Sequence, residues 1–346
     1  MELEPCELKY PADFEHEIIR AFTDSFRTSR GLTALQSDEE ILVLRHLGVI
    51  HRGRFVPNVA AALLFATDPR SVIPGGRVRF LRFEGTEEGS GARFNATKDI
   101  WIEGPIPYLI VRTEQIVEAQ VRDFTRLGKD GKFFTAPEYP KEAWYETIVN
   151  ACVHRSYGLK NMSIFVKMFD DRLVVESPGG FPPLVTPQNI FDMHSPRNPH
   201  LMDALYYLQF VKCAHEGTRR MRDRMAAMNL PGPEFTQKEE NVGHALVRVT
   251  LRNNIAHRKV FVDSDAVKLV GEAIFKDLTE HERLVINYLA ENHEINVSQT
   301  QRLTARTWPM AKRLLSGLVK RGVLFETRRR NLERDPWARF RLKGSR

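Results

Sequence analysis

The chain has 346 residues, 42% hydrophobic and 27% charged, with a formal net charge of +7. That composition fits two or three globular domains, each with its own core. Three widely spaced cysteines (Cys6, Cys152, Cys213) give no disulfide framework, and the acidic N-terminal residues lack the apolar stretch of a secretory signal. No run approaches the ~20 apolar residues of a membrane span, so a cytoplasmic protein with no membrane partner is expected.

In chain order, residues 38–47 read as an amphipathic helix stopped by Gly48, and residues 54–58 as a strand leading into the small apolar helix 60–65. Residues 77–83 alternate as a strand. Residues 84–96, polar and glycine-containing, read as a loop. Residues 108–127 are predicted as one long helix with Leu109, Val111, Ile116, Val117 and Val121 inward.

The next segment carries the chemistry. Glu146, Asn150 and His154 recur every four residues and stack along one helical face, while Ile148, Val149, Ala151 and Cys152 occupy the other faces as core. Polar groups lined up on an apolar helix are costly unless hydrogen-bonded or liganded. This face therefore borders a site or forms a structural network capping a sheet. Residues 162–169 and 172–176 flank Asp170-Asp171 as a hairpin with a polar turn, and Arg155 and Tyr157 tie the helix end to that hairpin. Its second strand runs into Ser177-Pro178-Gly179-Gly180. Two glycines there let the backbone approach a ligand closely. A helix carrying Glu and Asn, a hairpin and a glycine turn form a nucleotide-pocket arrangement, but not of the P-loop kind. Gly-x-x-x-x-Gly-Lys-[Ser/Thr] occurs nowhere, which argues against a translocating P-loop helicase. The pairs Cys152/His154 and Cys213/His215 invite a zinc reading. Residues two apart on a helix point about 200° away from each other, however, so neither pair chelates from a helix.

Several short motifs then come in a fixed order. They are Tyr139-Pro140, Glu146-x-x-x-Asn150-Ala151-x-x-His154-Arg155-x-Tyr157, Glu176-Ser177-Pro178-Gly179-Gly180, Arg197-Asn198-Pro199, Glu216-Gly217-Thr218-Arg219-Arg220-Met221 and Leu230-Pro231-Gly232-Pro233-Glu234-Phe235. On these motifs, residues 34–251 resemble the ATP-binding segment of RecG-related and Schlafen AlbA-domain regulators, whose nucleotide fold is similar to the GHKL (Bergerat) ATPases. The resemblance implies ATP and Mg²⁺ as cofactors. Glu146 is then expected to orient or deprotonate the attacking water, and Asn150 to hold Mg²⁺ through its amide oxygen. His154 joins the nucleotide-contacting set. Ser177 stands where GHKL ATPases place an adenine-reading Asp and this family usually has Asn; its hydroxyl is a weaker, neutral acceptor. Gly179 and Gly180 would let the backbone pass close to the adenine, and Arg197 and Asn198 would lie in the lid. Gly217 and Thr218 would open the next lid turn and helix, where phosphate meets backbone N–H groups. His215 occupies a position where many relatives have Gly. Full-length relatives begin with an AlbA-type domain that engages nucleic acid, and this chain starts where that domain would end.

Residues 296–346 hold fourteen Lys/Arg against three acidic residues, a net of +11, so with +7 for the whole chain the preceding residues sum to −4. That asymmetry points to a polyanion partner. Thr279-Glu-His-Glu282 is a capping box opening a helix; a short segment over 297–303 comes next, and Thr307 reads as the N-cap of a third helix with Met310, Leu314, Leu315, Leu318 and Val319 as its apolar stripe. Residues 323–325 and 338–342 alternate like two strands. Three helices and a basic hairpin make a winged helix-turn-helix. In it Arg306, Lys312 and Arg313 face DNA from the third helix, and Arg328, Arg329 and Arg330 lie on the wing near phosphates. The same fold used for protein contacts is the plainer reading.

The expected architecture is thus α/β (α+β): a helical segment (1–50), an α/β subdomain (51–135), a GHKL-like helix-on-sheet sandwich (136–255), a helical linker (256–277, with an apolar helix over 266–275) and a winged helix (278–346). The expected function is an ATP-binding, DNA-binding regulator, with a homodimer or higher homo-oligomer as its assembly. A transcription factor with a degenerate nucleotide pocket is the alternative.

Overall fold

Alternation of apolar residues builds a six-stranded sheet in the order β4-β3-β7-β8-β10-β9. Its strands are β3 (Val78–Phe83), β4 (Ala96–Ile102), β7 (Ile164–Met168), β8 (Arg172–Pro178), β9 (Glu234–Glu240) and β10 (His244–Arg252). β3 and β7 run parallel, and every other neighbouring pair is antiparallel. The register aligns Ile100, Phe80, Val166, Val175, Val249 and Phe235 in one row across all six strands. This row belongs to the main core. The computed structural model describes residues 1–31, 37–127, 133–193, 195–212, 216–228, 230–240, 244–253, 270–271, 274, 277–292, 294–304, 306–327 and 338–343. The chain divides into two units: Met1–Asp123 with Pro137–Asn253, and Phe124–Ala136 with Asn254–Arg346.

In the first unit, helices cover the apolar face of the sheet. α5 (Lys141–His154) lies against it with Trp144, Ile148, Ala151 and Cys152 buried. The other helices of this unit are α1 (His16–Arg30), α2 (Asp38–Leu44), α3 (Val59–Phe65), α4 (Ile106–Glu118), α6 (Pro199–Tyr207) and α7 (Gly217–Ala227). Local chemistry sets several of their ends. Ser37 and Glu40 form a reciprocal capping box on α2, and Asn58 caps the wholly buried α3 while its amide donates to the His46 carbonyl. β1 (Gly48–His51) and β2 (Arg54–Pro57) form a small hairpin. The hairpin expected around Asp170-Asp171 is β7–β8. On the opposite face of the sheet Leu81, Phe83, Phe169 and Val174 make a small second core, and beside it Glu176 is buried between Lys167 and Arg248.

One local expectation needs correction. The helix predicted to reach residue 127 ends at Glu118, and the chain is extended again from Asp123. Gln120 falls where the buried stripe of α4 calls for an apolar residue, and its amide donates to the Ala119 carbonyl at the helix end. The polar stretch 84–95 is a loop as expected, and the edge strand that begins at Ala96, β4, has largely exposed side chains and so lacks a strong alternating signal.

A buried polar cluster in the first unit sits where the chain leaves and re-enters it. Glu138, almost fully buried, takes a two-pronged contact from Arg122, Nε to Oε2 at 3.1 Å and Nη2 to Oε1 at 2.9 Å. The Glu138 backbone N–H donates to the Arg122 carbonyl. The Asn253 amide donates to Glu138 and, at 2.8 Å, to the Tyr139 hydroxyl. Arg122 and Glu138 neighbour Asp123 and Pro137, and Asn253 is itself the third of the points at which the chain passes between units.

In the second unit, β5 (Asp123–Leu127) and β6 (Phe133–Pro137) pair as a ribbon. α8 (Glu280–Asn292), α9 (Val297–Thr304) and α10 (Trp308–Lys320) precede an antiparallel pair, β11 (Leu324–Thr327) and β12 (Arg339–Leu342). Their core joins Val285, Ile286, Leu289, Leu315, Leu318 and Phe340. At the start of α8 the Thr279 backbone N–H and hydroxyl both donate to the Glu282 carboxylate, one half of the capping box expected there, and Asn296 and Gln299 make a reciprocal cap on α9. Thr307 precedes α10 but makes no side-chain cap hydrogen bond. The linker helix expected over 266–275 lies for the most part outside the described residues.

Candidate functional site

α5, the β8 end and the start of α7 enclose a cleft with about 1190 Å³ of empty space, open mouth included. Eight of the residues singled out in the sequence line it together: Glu146, Asn150, His154, Ser177, Gly179, Gly180, Gly217 and Thr218. They come from three segments as much as 72 positions apart.

The polar end of the cleft is held by α5. Glu146 accepts from Asn150 Nδ2 at 3.3 Å and pairs with Arg220 Nη2 at 2.6 Å. With Nδ2 so engaged, Asn150 has its carbonyl oxygen to offer to a ligand, an assignment that derives from the hydrogen-bond network. Gly217 presses directly on this carboxylate: a Cβ there would fall 2.1 Å from Glu146 Oε1. Only glycine permits the first turn of α7 to come so close. Thr218 Oγ1 donates to the Ile190 carbonyl at 2.9 Å and so ties α7 to the segment over the cleft.

The apolar end is walled by Val175, Val247, Val249, Phe235 and Met202, with Ser177 among them. Ser177 is buried and its hydroxyl donates to the Ala151 carbonyl at 2.9 Å. Its proton is thereby committed, which leaves lone pairs as what it can present. Gly179 turns the chain out of β8 at φ +108°, and a Cβ would collide with Ser156 at 2.7 Å. Cys152, fully buried on α5, has its thiol pushed up to about 12 by desolvation. Among the described residues no group of three or more His, Cys, Asp or Glu is arranged to hold a metal ion. Cys213 and His215 lie outside the described residues.

Arg197 and Asn198 do not line the cleft. Arg197 donates from Nε to the His154 carbonyl at 3.0 Å and from Nη2 to the Gly180 carbonyl at 2.7 Å. Asn198 donates from Nδ2 to the Val153 and Arg155 carbonyls at 2.8 and 2.9 Å. Together they lash the end of α5 to the glycine turn. Burial holds the Arg197 guanidinium below its usual pKa. His154 lines the cleft, and its Nδ1 faces the Arg197 N–H at 3.5 Å. Arg220, the partner of Glu146, carries no signal of its own in the sequence. Nothing in the run of α7 arginines (219, 220, 222, 224) distinguishes it until the helix is docked.

In the second unit, Arg306 is half-buried and its N–H donates to the Gln301 carbonyl. Lys312 lies over the exposed Trp308 ring at 5.5 Å, and Arg313 is exposed. The three arginines expected on the wing, Arg328, Arg329 and Arg330, lie outside the described residues.

Residues 161–247, about a quarter of the chain, match the family described as "Putative ATP-dependent DNA helicase recG C-terminal". This segment resembles a RecG-related, ATPase-like family. It spans β7 to the first four residues of β10, including the glycine turn and α7, and stops short of Glu146 and Asn150 upstream. The match points to ATP binding. No curated protein matches the chain. Among solved structures, the DIP2311 protein from Corynebacterium diphtheriae is similar at a TM-score of 0.56 and 19% identity, over 98% of this chain and 63% of that one. The chain thus spans less than two thirds of that protein, and the likeness concerns the fold alone. No helix among the described residues is long and apolar enough to cross a membrane.

Proposed function

We propose that the chain is an ATP-binding regulator with a GHKL-like pocket in the first unit and a DNA-binding winged helix in the second. What carries the ATP reading is the convergence in one cleft of Glu146, Asn150, the glycine turn and the start of α7, partly within a segment of RecG-like, ATPase-like sequence. Adenine would lie at the apolar end, accepted by Ser177. Phosphates would meet the N–H groups of α7's first turn at Gly217 and Thr218, where the helix dipole favours negative charge. The residues fit Mg²⁺ bound mainly through phosphate and water, with Asn150 as the protein ligand, since Mg²⁺ rarely uses an all-protein cage. Bound there, Mg²⁺ would neutralise phosphate charge. Glu146 is placed to orient or deprotonate water, should hydrolysis occur. Arg197 and Asn198 would set the rim.

The DNA reading rests on the helical arrangement before β11 and β12 and on the charge concentrated in residues 296–346. Arg306, Lys312 and Arg313 would serve the third helix, and Arg328 to Arg330 the wing. Nucleotide binding would alter DNA affinity or drive homo-oligomer formation; equal affinity for DNA with and without Mg-ATP would rule out the first. A transcription factor with a dead pocket is the second reading, favoured by the commitment of Ser177 to Ala151 and of Glu146 to Arg220. Calorimetric titration with a non-hydrolysable ATP analogue, with and without Mg²⁺, separates the two. The first reading expects binding at a Kd of ~100 μM or tighter, with the Mg²⁺-dependent part lost in Asn150→Ala. Absence of heat at millimolar analogue leaves only the second.

A further inference from the structure

Glu146 meets the cleft with a partner already in place. Arg220 projects from the first turn of α7, three residues after Gly217, so the guanidinium and the glycine share a helical face. That face is pressed against the Glu146 carboxylate. The neighbouring arginines are paired elsewhere: Arg219 with Asp192 at the exposed rim, Arg222 with Asp223 and Arg224 with Glu142. Arg220 is thus the arginine of this helix that holds Glu146. The Glu146 side chain retains 16% of its exposure and that of Arg220 34%, so the pair stands at the edge of solvent, where an entering anion can compete for it. A guanidinium matches a phosphate group as well as a carboxylate in two-pronged geometry, and a terminal phosphate carries the greater charge.

We infer that Arg220 is a terminal-phosphate sensor: without nucleotide it holds Glu146, and with a triphosphate bound it transfers to the last phosphate and leaves Glu146 to Asn150 alone. The inference rests on the ATP reading above and adds to it a discrimination between triphosphate and diphosphate. A diphosphate lacks the group that draws Arg220 away. Glu146 and the terminal phosphate are rivals for one cation, so removing either partner of the ion pair acts in opposite directions.

The test is calorimetric, with Mg-ADP and a non-hydrolysable Mg-ATP analogue titrated into the whole protein and its variants. Arg220→Gln is expected to weaken the triphosphate analogue by about tenfold, the worth of one charge-assisted contact, while leaving ADP within about twofold. Glu146→Gln is expected to tighten the analogue and leave ADP unchanged. Arg220→Lys, which keeps the charge and serves if the Gln variant melts early, is expected to lie between wild type and Arg220→Gln. Equal weakening of both nucleotides in Arg220→Gln and Arg220→Lys would make Arg220 a brace for α7 and overturn the inference, as would a weaker analogue in Glu146→Gln. No binding of either nucleotide by the wild type would overturn the ATP reading itself, and the sensor with it.

Discussion

Two buried ionic residues show how single side chains carry the sheet and its helix. Arg155 is almost fully buried at the end of α5, and its Nη2 donates to the carbonyls of Gly75, Leu159 and Met162, the last at 2.5 Å. Its guanidinium also lies over the Tyr157 ring at 4.6 Å. Arg155→Ala removes the side-chain donor from all three carbonyls, of which those of Gly75 and Leu159 keep a backbone N–H, and empties a buried site; it is expected to cost roughly 3 kcal/mol in a denaturant titration. Glu176 is the acidic counterpart. Burial pushes its carboxyl up, but Lys167 and Arg248 outweigh that and hold it below its usual 4.5. A folded pKa below the unfolded value contributes stability that is present above 4.5 and lost as pH falls through the folded pKa. Melting scans on the acid side should therefore show a fall in Tm for the wild type that is shallower in Glu176→Gln. Arg155 and Tyr157 read as structural in the sequence, and the structure gives them structural partners. Glu176 was legible only as a letter of a motif, because its partners Lys167 and Arg248 come from the two neighbouring strands, the second of them 72 positions away.

Elements built on short-range chemistry were the easiest to foresee. The i, i+4 spacing of Glu146, Asn150 and His154 predicts the cleft-facing side of α5, and the Asp170-Asp171 turn predicts the β7–β8 hairpin. Both signals lie within a dozen residues. β4 escaped because an edge strand needs no continuous apolar face, and α4 was overextended because a helix end is set by what the next segment pairs with. The docking of α7 on Glu146 was invisible for a similar reason: a contact between positions 146 and 217 leaves no periodicity behind. The glycine turn after β8 is the element on which the cleft depends most. At φ +108° and with Ser156 2.7 Å from any Cβ, Gly179→Ala is strained by conformation and by clash together. It is expected to lower the midpoint of thermal unfolding and to weaken the ATP analogue in the same titration.

The whole molecule divides its charge unevenly, with the excess of basic residues beyond position 296. Composition alone made that division visible. What it could not supply was which cations face outward: Lys312 is partly folded over Trp308, whereas Arg313 is exposed. If the second unit binds DNA through α10, Lys312→Ala with Arg313→Ala should lower the slope of log affinity against log salt by about 0.9 for each phosphate no longer neutralised. Fluorescence anisotropy across a salt series measures that slope, and an unchanged value would remove these two residues from the interface.

The fork between Arg122 and Glu138 also bears on how the chain enters α5. Because it joins a side chain two positions before residues 124–136 to one two positions after them, and the backbones meet there as well, that segment departs from and returns to a single spot on the first unit. To the sheet and its helices it is a cassette slotted between two adjoining ends. Arg122 and Glu138 hold its two ends side by side from within the first unit, so the entry of the chain into α5 is fixed by that unit's own side chains.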